Sequence, residues 1–374
     1  MKRLSTEIAI IGAGPAGLCA AIEASKLGAK VTLIDENALP GGQLFKQIHK
    51  FFGSKEHLAG VRGYEIGTRL LEELEKSDAE VMLSGTAYGL FRDMTIGVVQ
   101  KTNHYAIQAK KIILAAGGKE NYMDFPGSTL PGVMGAGAAQ TMINVNRVLP
   151  GRHVVMLGSG NVGLIVSYQL MQAGACVEAL VEAAPAIGGY GVHAGKIRRA
   201  GVPILTSHTI KEVYGDGKVE GVIIAEVDEK FRVIEGTERA IAADTVCLAV
   251  GLNPMTELAH MAGCGFTFLP ALGGHVPLHD DNMETTVPGI YVAGDITGVE
   301  EASSAMEEGK LAGIAAAASL GYLDQEKAKE LKDEVQVRLS ALRTGAFGEK
   351  RQTAKTEQMA RMAAFLQEKG GRRP

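Results

Sequence analysis

Glu7-Ile8-Ala9-Ile10-Ile11-Gly12-Ala13-Gly14-Pro15-Ala16-Gly17 stands near the start of the chain, an apolar run followed by three glycines in the spacing G-x-G-x-x-G. The apolar run predicts a buried strand, and the residues from Pro15 onward predict a helix that ends near Gly28. A strand-to-helix turn of this kind directs free backbone N–H groups and the positive end of the helix towards a pyrophosphate. The stretch therefore predicts a dinucleotide-binding α/β unit.

The same pattern occurs a second time in the middle of the chain. The run His153–Leu157 leads into Gly158-Ser159-Gly160-Asn161-Val162-Gly163. Each turn is followed, about twenty residues on, by an acid at the end of the next apolar run, where a carboxylate can accept hydrogen bonds from ribose hydroxyls. These acids are Asp35 and Glu182. The paired patterns predict two Rossmann-like dinucleotide-binding domains and hence electron transfer between two nucleotides.

A third segment indicates which nucleotide each domain binds. Pro288-Gly289-Ile290-Tyr291-Val292-Ala293-Gly294-Asp295 is followed by the Ala- and Gly-rich helical segment Ala302–Leu320. It resembles the second FAD signature of the two-dinucleotide-binding flavoproteins, the family of thioredoxin reductase and its relatives. Gly41-Gly42-Gln43-Leu44 and Ala115-Ala116-Gly117 resemble two further FAD segments of that family, although the family has Thr where this chain has Ala116. The resemblance implies FAD at the first turn and a pyridine nucleotide at the second.

The resemblance also implies the residues that hold each cofactor. Asp295 would bind the ribityl and phosphate part of FAD, and Glu301 and Ala302 would face the flavin pyrimidine ring. The implied FAD residues are Gly12, Gly14, Pro15, Ala16, Gly17, Asp35, Glu36, Gly42, Gln43, Ala87, Ala116, Gly117, Gly294, Asp295, Glu301 and Ala302. The implied NAD residues are Gly158, Gly160, Asn161, Val162, Gly163 and Glu182.

Glu182 predicts a preference for NAD over NADP. A 2′-phosphate about 4 Å from this carboxylate would be repelled by ~1–4 kcal/mol. The next residues, Ala183-Ala184-Pro185, include no arginine that could bind the extra phosphate.

The redox cysteine pairs of this family are absent. Thioredoxin reductases carry Cys-x-x-Cys shortly before the second turn, where this chain has Val133–Gln140 without a cysteine. Glutathione reductase relatives carry a pair just after the first acid, where this chain has Gly41-Gly42-Gln43. The flavin is therefore expected to exchange electrons with NAD, another protein or a small acceptor. Gln140, at the position of the missing dithiol, and His49 are the candidates for a catalytic side chain; no metal or iron–sulfur spacing is present.

A narrower resemblance covers nearly the whole chain. Leu130–Gln140, Gly158–Gly163 and Leu339–Gly348 resemble the alpha-type subunits of heteromeric amino-acid and amine dehydrogenases, such as sarcosine oxidase, opine oxidase, hydrogen cyanide synthase and dye-linked proline or hydroxyproline dehydrogenases. This implies an electron-transferring subunit of a hetero-oligomer. Its implied partners are a second flavoprotein dehydrogenase subunit and a small 2Fe-2S protein, which would be separate because no cysteine-rich C-terminal segment follows. The alternatives are a stand-alone NADH-dependent flavin reductase and a nucleotide-bound scaffold without redox turnover.

Composition and motif order complete the prediction. The 374 residues carry a net charge of −4, which offers no basic surface for nucleic acid, and no apolar run is long enough to span a membrane. Scarce, scattered cysteines favour the cytoplasm. The predicted domains are an FAD domain (1–121 and 245–322), an inserted NAD(P) domain (122–244) and a helical C-terminal extension (323–374). In that extension Met359, Met362, Ala363 and Leu366 have helical spacing, which fits either a docking face or a solvated helix.

Overall fold

The structure of the chain is a computed structural model that describes residues 1–51 and 54–368, without the side chains of residues 346 and 347. It divides into two compact units. The first unit comprises Met1–Lys119 and Asn253–Pro374, and the second comprises Glu120–Leu252. Residues 369–374 of the predicted C-terminal extension lie outside the described residues. The predicted α/β class, with one domain inserted into the other, is confirmed.

The amino-terminal part of the first unit is rich in strands. Its strands and helices are β1 (Lys2–Ile11), α1 (Pro15–Lys26), β2 (Val31–Ile34), α2 (Gly63–Leu74), β3 (Glu80–Met82), β4 (Gly85–Leu90), β5 (Thr95–Gln100), β6 (Asn103–Leu114) and β7 (Gly118–Glu120). The second unit follows. Its elements are β8 (Val133–Gly135), α3 (Ala136–Thr141), β9 (His153–Leu157), α4 (Asn161–Gln172), β10 (Cys176–Glu182), α5 (Gly191–Arg199), β11 (Ile204–Thr206), β12 (His208–Tyr214), β13 (Gly221–Glu226), β14 (Arg239–Ala242) and β15 (Thr245–Leu248). The short strand β16 (Leu252–Pro254) begins at the last residue of the second unit and ends in the first.

The chain then returns to the first unit and becomes mostly helical. The remaining elements are α6 (Glu257–Met261), β17 (Phe266–Leu269), β18 (Gly274–Pro277), β19 (Ile290–Val292), α7 (Ala302–Ser319), α8 (Gln325–Leu342) and α9 (Gly345–Glu368). None of the helices in the described part of the chain combines the length and the apolar character needed to cross a lipid bilayer.

The sheet of the first unit is built around β1. Its strand order is β3-β2-β1-β6-β5-β4, and β19 also pairs with β6. The pairs of β1 with β2 and β6 are parallel, with Ile10 opposite Leu33 and Ile113. All three side chains are fully buried, as expected for a parallel sheet that is covered on both faces.

Close helix packing brings the start of α1 against α7. An added Cβ at Gly309 would lie 2.0 Å from the Ala16 carbonyl oxygen, and one at Gly313 would lie 2.4 Å from the Ala20 carbonyl oxygen. The two glycines are four residues apart on α7 and therefore share one face of the helix. Larger residues there would separate α7 from the glycine turn that precedes α1.

The second unit has its own parallel sheet, in the order β11-β10-β9-β15-β8, and a three-stranded antiparallel sheet, β12-β13-β14. The antiparallel strands β12 and β13 are joined through Gly215-Asp216-Gly217. The boundary predicted between residues 244 and 245 is wrong. β15 pairs with β9 and β8, so this strand belongs to the second unit, which extends to Leu252.

The C-terminal helices belong to the first unit. The helix α9 continues through residues for which a solvated helix or a docking face was predicted. Met362 is 1% exposed and Ala354 packs in an apolar cluster with Leu272 and Val276. Met359 and Leu366 are half-buried and Ala363 is exposed. The predicted docking face therefore has its central methionine inside the chain's own fold.

Candidate functional site

The three glycines of the first turn have different structural roles. Gly12 has φ +110°, and a Cβ there would lie 2.2 Å from the Ala115 carbonyl oxygen. A Cβ at Gly17 would lie 1.7 Å from the Gly12 carbonyl oxygen. A Cβ at Gly14, in contrast, would meet its nearest neighbour, the Cα of Gly42, at 3.8 Å. The fold therefore requires Gly12 and Gly17, whereas Gly14 leaves a cradle that an added Cβ would fill.

The second turn repeats this division. Gly158 has φ +102°, and a Cβ there would lie 2.3 Å from the Ala249 carbonyl oxygen. A Cβ at Gly163 would lie 2.0 Å from the Gly158 carbonyl oxygen, but one at Gly160 would meet nothing within 4 Å. In both units only the middle glycine faces open space, as required where a pyrophosphate must approach the backbone. The residues present thus fit a dinucleotide in each unit.

The two predicted acids hold the two turns in the same way. Asp35 Oδ2 accepts a hydrogen bond from the Ala13 N–H at 2.5 Å, and Glu182 Oε2 accepts one from the Ser159 N–H at 2.8 Å. The other oxygen of each acid accepts from the backbone two residues on, at Asn37 (2.7 Å) and Ala184 (2.9 Å). Hydrogen bonds to a charged group contribute about 1.5–3 kcal/mol each, so both acids also stabilise their turns.

Each acid keeps acceptor capacity for a ligand. A carboxylate has roughly four lone-pair positions. The Asn37 amide also donates to Asp35 Oδ1, at 3.0 Å, and the Ser159 hydroxyl donates to Glu182 Oε2, at 2.5 Å. Three positions of each acid are then occupied, and the fourth, on Asp35 Oδ2 or Glu182 Oε1, is available to a ribose hydroxyl.

A pair of glycines follows each acid, and sequence reasoning found only the first pair. Gly41-Gly42 comes six and seven residues after Asp35, and Gly188-Gly189 has the same spacing from Glu182. The Gly41 N–H donates to the Ala13 carbonyl at 2.7 Å, and the Gly189 N–H donates to the Ser159 carbonyl at 2.9 Å. Both loops therefore fold back onto their turns. The equal spacing from the two acids was the signal that could have revealed the second pair.

The Gly294-Asp295 segment lies beside the first turn. Gly294 has φ +79°, and a Cβ there would lie 2.9 Å from the Cβ of Ala16 on α1. Asp295 is half-buried. Burial raises the pKa of Asp295 to about 7, the nearby Glu308 and Glu300 carboxylates add to this, and the Glu300 N–H and Lys355 oppose it. A hydroxyl that donates to this carboxylate would favour its ionised form.

The other predicted FAD residues fall around the same turn with different exposure. Ala116 and Gly117 directly follow Ala115, whose carbonyl lies against Gly12, and Gly117 has φ +78° with open space at its Cβ position. Ala87 is half-buried on β4, a strand that begins where the Gly85 N–H donates to the Asp35 carbonyl at 2.8 Å. The remaining polar candidates are exposed: Glu36, Gln43 and Glu301.

A buried ion network below Asp295 was missed by sequence reasoning. Glu308 on α7 accepts hydrogen bonds from the Gly294 N–H and the Thr297 hydroxyl, both at 2.9 Å. Its other oxygen accepts from Arg343 at 2.5 Å and from Lys355 at 2.9 Å. Burial alone would raise the pKa of Glu308, but Lys355 and Arg343 lower it to about 2. Arg343, directly after α8, and Lys355 on α9 thus supply two cations that hold Glu308 against the turn carrying Asp295.

The structure places both catalytic candidates without testing their role. Gln140 was predicted as a candidate because it stands at the position of the family's dithiol, and this stays a prediction. Gln140 is 5% exposed and its amide donates to the Gln169 side chain at 3.0 Å, inside the core of the second unit. His49 is half-buried in the segment after the Gly42–Lys46 turn and stays a prediction.

Comparison with known proteins agrees with this geometry. The model of the family "Pyridine nucleotide-disulphide oxidoreductase" matches residues 6–309. An opine oxidase subunit of Agrobacterium tumefaciens is 33% identical over 84% of this chain and 66% of its own length, so the chain spans about two thirds of that relative. Hydrogen cyanide synthase subunit HcnB of Pseudomonas aeruginosa is 26% identical over 95% of this chain and 80% of its own length.

Among solved structures, L-proline dehydrogenase from P. horikoshii is 25% identical, with a TM-score of 0.68 over 90% of this chain and 59% of that one. These proteins are of the kinds that the sequence motifs resembled. The chain belongs to the pyridine nucleotide-disulphide oxidoreductase family, which uses FAD and a pyridine nucleotide, and the predicted FAD-dependent oxidoreductase is confirmed.

Proposed function

We propose that this chain is the electron-transferring subunit of a heteromeric amino-acid or amine dehydrogenase, with FAD in the first unit and NAD(H) in the second. The observation that carries the proposal is the repeated turn geometry. In each unit the space at the Cβ position of the middle glycine is open, and the acid accepts a hydrogen bond from the backbone of the turn. A glycine pair then folds back onto the same turn. When bound, the two cofactors supply hydride exchange between nicotinamide and flavin.

The cysteines support electron exit without a dithiol. All four are free; Cys19, Cys247 and Cys264 are buried and Cys176 is exposed. Burial raises the pKa of Cys19 and of Cys247 to about 12, so these thiols are poor nucleophiles. Electrons that reach the flavin would therefore leave through the nicotinamide or through a protein partner.

Glu182 supports NAD rather than NADP. Its carboxylate stands at the end of β10, held by Ser159 and Ala184, with one acceptor position left. That position suits a ribose hydroxyl and repels a phosphate. Basic residues do occur on α5, and they are in its last turn: Lys196, Arg198 and Arg199.

The relatives support a hetero-oligomer. The opine oxidase relative and HcnB of hydrogen cyanide synthase are both named as subunits of larger enzymes. By analogy we assign the substrate-oxidising step to a second flavoprotein subunit, with a small 2Fe-2S protein as a further electron carrier, and we place the complex in the cytoplasm.

The middle glycines allow a direct test of the two sites. Gly14→Ala and Gly160→Ala should fold normally, because each added Cβ meets no atom closer than 3.8 Å and both residues have negative φ. Gly14→Ala should purify without flavin absorbance. Gly160→Ala should keep its flavin and lose NADH binding, measured by NADH fluorescence, and wild-type protein with both ligands is the control.

Two results would count against the proposal. The first is that the Gly14→Ala variant retains its full flavin content, or that the Gly160→Ala variant binds NADH as tightly as the wild type. The second is that the protein purified from its native host is monomeric and turns over NADH at full rate, which would indicate the stand-alone flavin reductase instead.

A further inference from the structure

Three side chains with different ligand atoms meet at the start of the second unit's parallel sheet. On β9 and β10, His153 and Cys176 are opposite each other in the register, and Glu178 lies two residues further along β10. The register of β10 against β9 shifts between Val177 and Ala179, so Glu178 lies at an irregular position of the strand. Val177 is buried, whereas Cys176 is exposed and Glu178 is half-buried. A ring nitrogen of His153, the Cys176 sulfur and a Glu178 carboxylate oxygen lie within 4.8 Å of one another.

We propose that His153, Cys176 and Glu178 form a binding site for Zn²⁺ or a similar transition-metal ion, although the sequence alone predicted no metal site. Imidazole, thiolate and carboxylate are the three side-chain ligands that Zn²⁺ uses in proteins. With bond lengths of about 2.0–2.3 Å, tetrahedral ligand atoms stand roughly 3.3–3.8 Å apart, so small side-chain movements suffice. The His153 side chain is 59% exposed, which leaves room for a water molecule as fourth ligand.

The present contacts show how a cation would be accommodated. The His153 Nδ1 and a Glu178 carboxylate oxygen are 2.7 Å apart and share a hydrogen bond. The Cys176 thiol also donates to Glu178, which raises the pKa of Cys176, while His153 and Cys176 lower the pKa of Glu178. Glu178 is thus a charged acceptor for protons of both neighbours. A divalent ion would replace those shared protons, and its binding would release the thiol proton.

The backbone around the cluster is well anchored. Asp244 accepts hydrogen bonds from the N–H groups of Arg152 and His153, at 2.9–3.1 Å, which fixes the start of β9. The glycine turn begins at Gly158, past the opposite end of β9, roughly 16 Å along the strand at ~3.3 Å per residue. The ion would therefore join the starts of β9 and β10 without reaching a nucleotide at the turn.

Cobalt provides a spectroscopic test on the full, tag-free chain after chelator treatment. One equivalent of Co²⁺ should produce a thiolate-to-cobalt charge-transfer band together with tetrahedral d–d bands, and Zn²⁺ should remove both. Cys176→Ser should lose the charge-transfer band, and His153→Ala should weaken Co²⁺ binding more than about tenfold. The control is Cys264→Ser, which alters a buried thiol of the first unit and should leave the spectrum unchanged.

The site would be refuted if wild-type protein gave no thiolate band with Co²⁺, or if Cys176→Ser kept that band with an unchanged circular dichroism spectrum. NADH binding to the wild type should be the same with and without Zn²⁺, and a metal-dependent change would contradict the placement away from the turn.

Discussion

Replacing Lys355 by Met should destabilise the first unit by about 3 kcal/mol, because it removes one partner from a buried ion network. Lys355 is 2% exposed, although α9 is otherwise rich in exposed polar residues. Its ammonium donates to Glu308 at 2.9 Å, to the Thr297 carbonyl at 3.1 Å and to the Thr297 hydroxyl. Methionine fills similar volume, so the loss is chiefly electrostatic.

The magnitude follows from what remains around Glu308. Breaking a buried pair by removing one partner costs about 3–5 kcal/mol. Arg343 still pairs with Glu308, and the Gly294 N–H and Thr297 hydroxyl still donate to it, so the lower end of this range is expected. The double variant with Glu308→Gln should cost less than the sum of the single variants, by about 0.5–3 kcal/mol.

Hydrogen exchange is the suitable assay, because a two-unit chain need not unfold in one step. Peptides that cover residues 290–300 include the Gly294 amide that donates to Glu308. Their exchange should accelerate roughly 100-fold in Lys355→Met, at about 1.4 kcal/mol per factor of ten. Lys350→Met, at an exposed position of the same helix, is the matched control and should stay within about 0.5 kcal/mol of the wild type. Equal exchange in the two variants would refute the reasoning.

Three further outcomes are expected. Gly12→Ala should lower the thermal unfolding midpoint strongly, because Gly12 has a left-handed φ and an added Cβ would clash with the Ala115 carbonyl. Gly14→Ala should leave the midpoint unchanged. Equal midpoints for the two variants would contradict the assignment of Gly12 to the fold and Gly14 to the ligand. Glu182→Gln should raise the ratio of NADPH affinity to NADH affinity by about fivefold or more, because it removes ~1 kcal/mol of repulsion between the carboxylate and the 2′-phosphate. An unchanged ratio in a binding titration would show that Glu182 does not determine the preference for NAD. Burial lowers the pKa of His279 from 6.5 to about 4, so the folded state prefers the neutral ring. The stabilisation that comes from keeping this ring neutral is complete above pH 6.5. It is lost as the pH falls towards 4, which lowers the free energy of unfolding by up to about 3 kcal/mol. His279→Gln should remove this part of the pH dependence, as measured by urea unfolding.

The local sequence pattern was sufficient to predict the structure of the two glycine turns. Gly12–Gly17 and Gly158–Gly163 predicted strand, turn and helix because a short-range rule, the steric need for glycine, determines that geometry. The boundary at 245 could not be predicted, since the apolar run Thr245–Leu248 suits either sheet and only pairing with β9 assigns it.

Contacts between segments that are distant in the chain could not be predicted from the sequence either. Glu308 and Lys355 are 47 residues apart, and charged residues on polar-looking helices are normally predicted to be exposed. Gln140 was chosen for its position at the family's dithiol, and its hydrogen bond to Gln169, 29 residues away, was not predicted because it depends on the packing of α3 against α4. The cluster of His153, Cys176 and Glu178 depends on strand register, which spacing along the chain does not reveal.

The central claim is that flavin in the first unit accepts a hydride from NADH in the second. The most direct measurement is an anaerobic titration of the purified, flavin-loaded wild-type chain with NADH, followed by visible absorption. One equivalent of NADH per flavin should bleach the oxidised flavin spectrum, with NADPH less effective. An oxidised spectrum that persists in excess NADH, in a chain shown to bind NADH, would contradict the claim and leave the second turn as a non-redox nucleotide site.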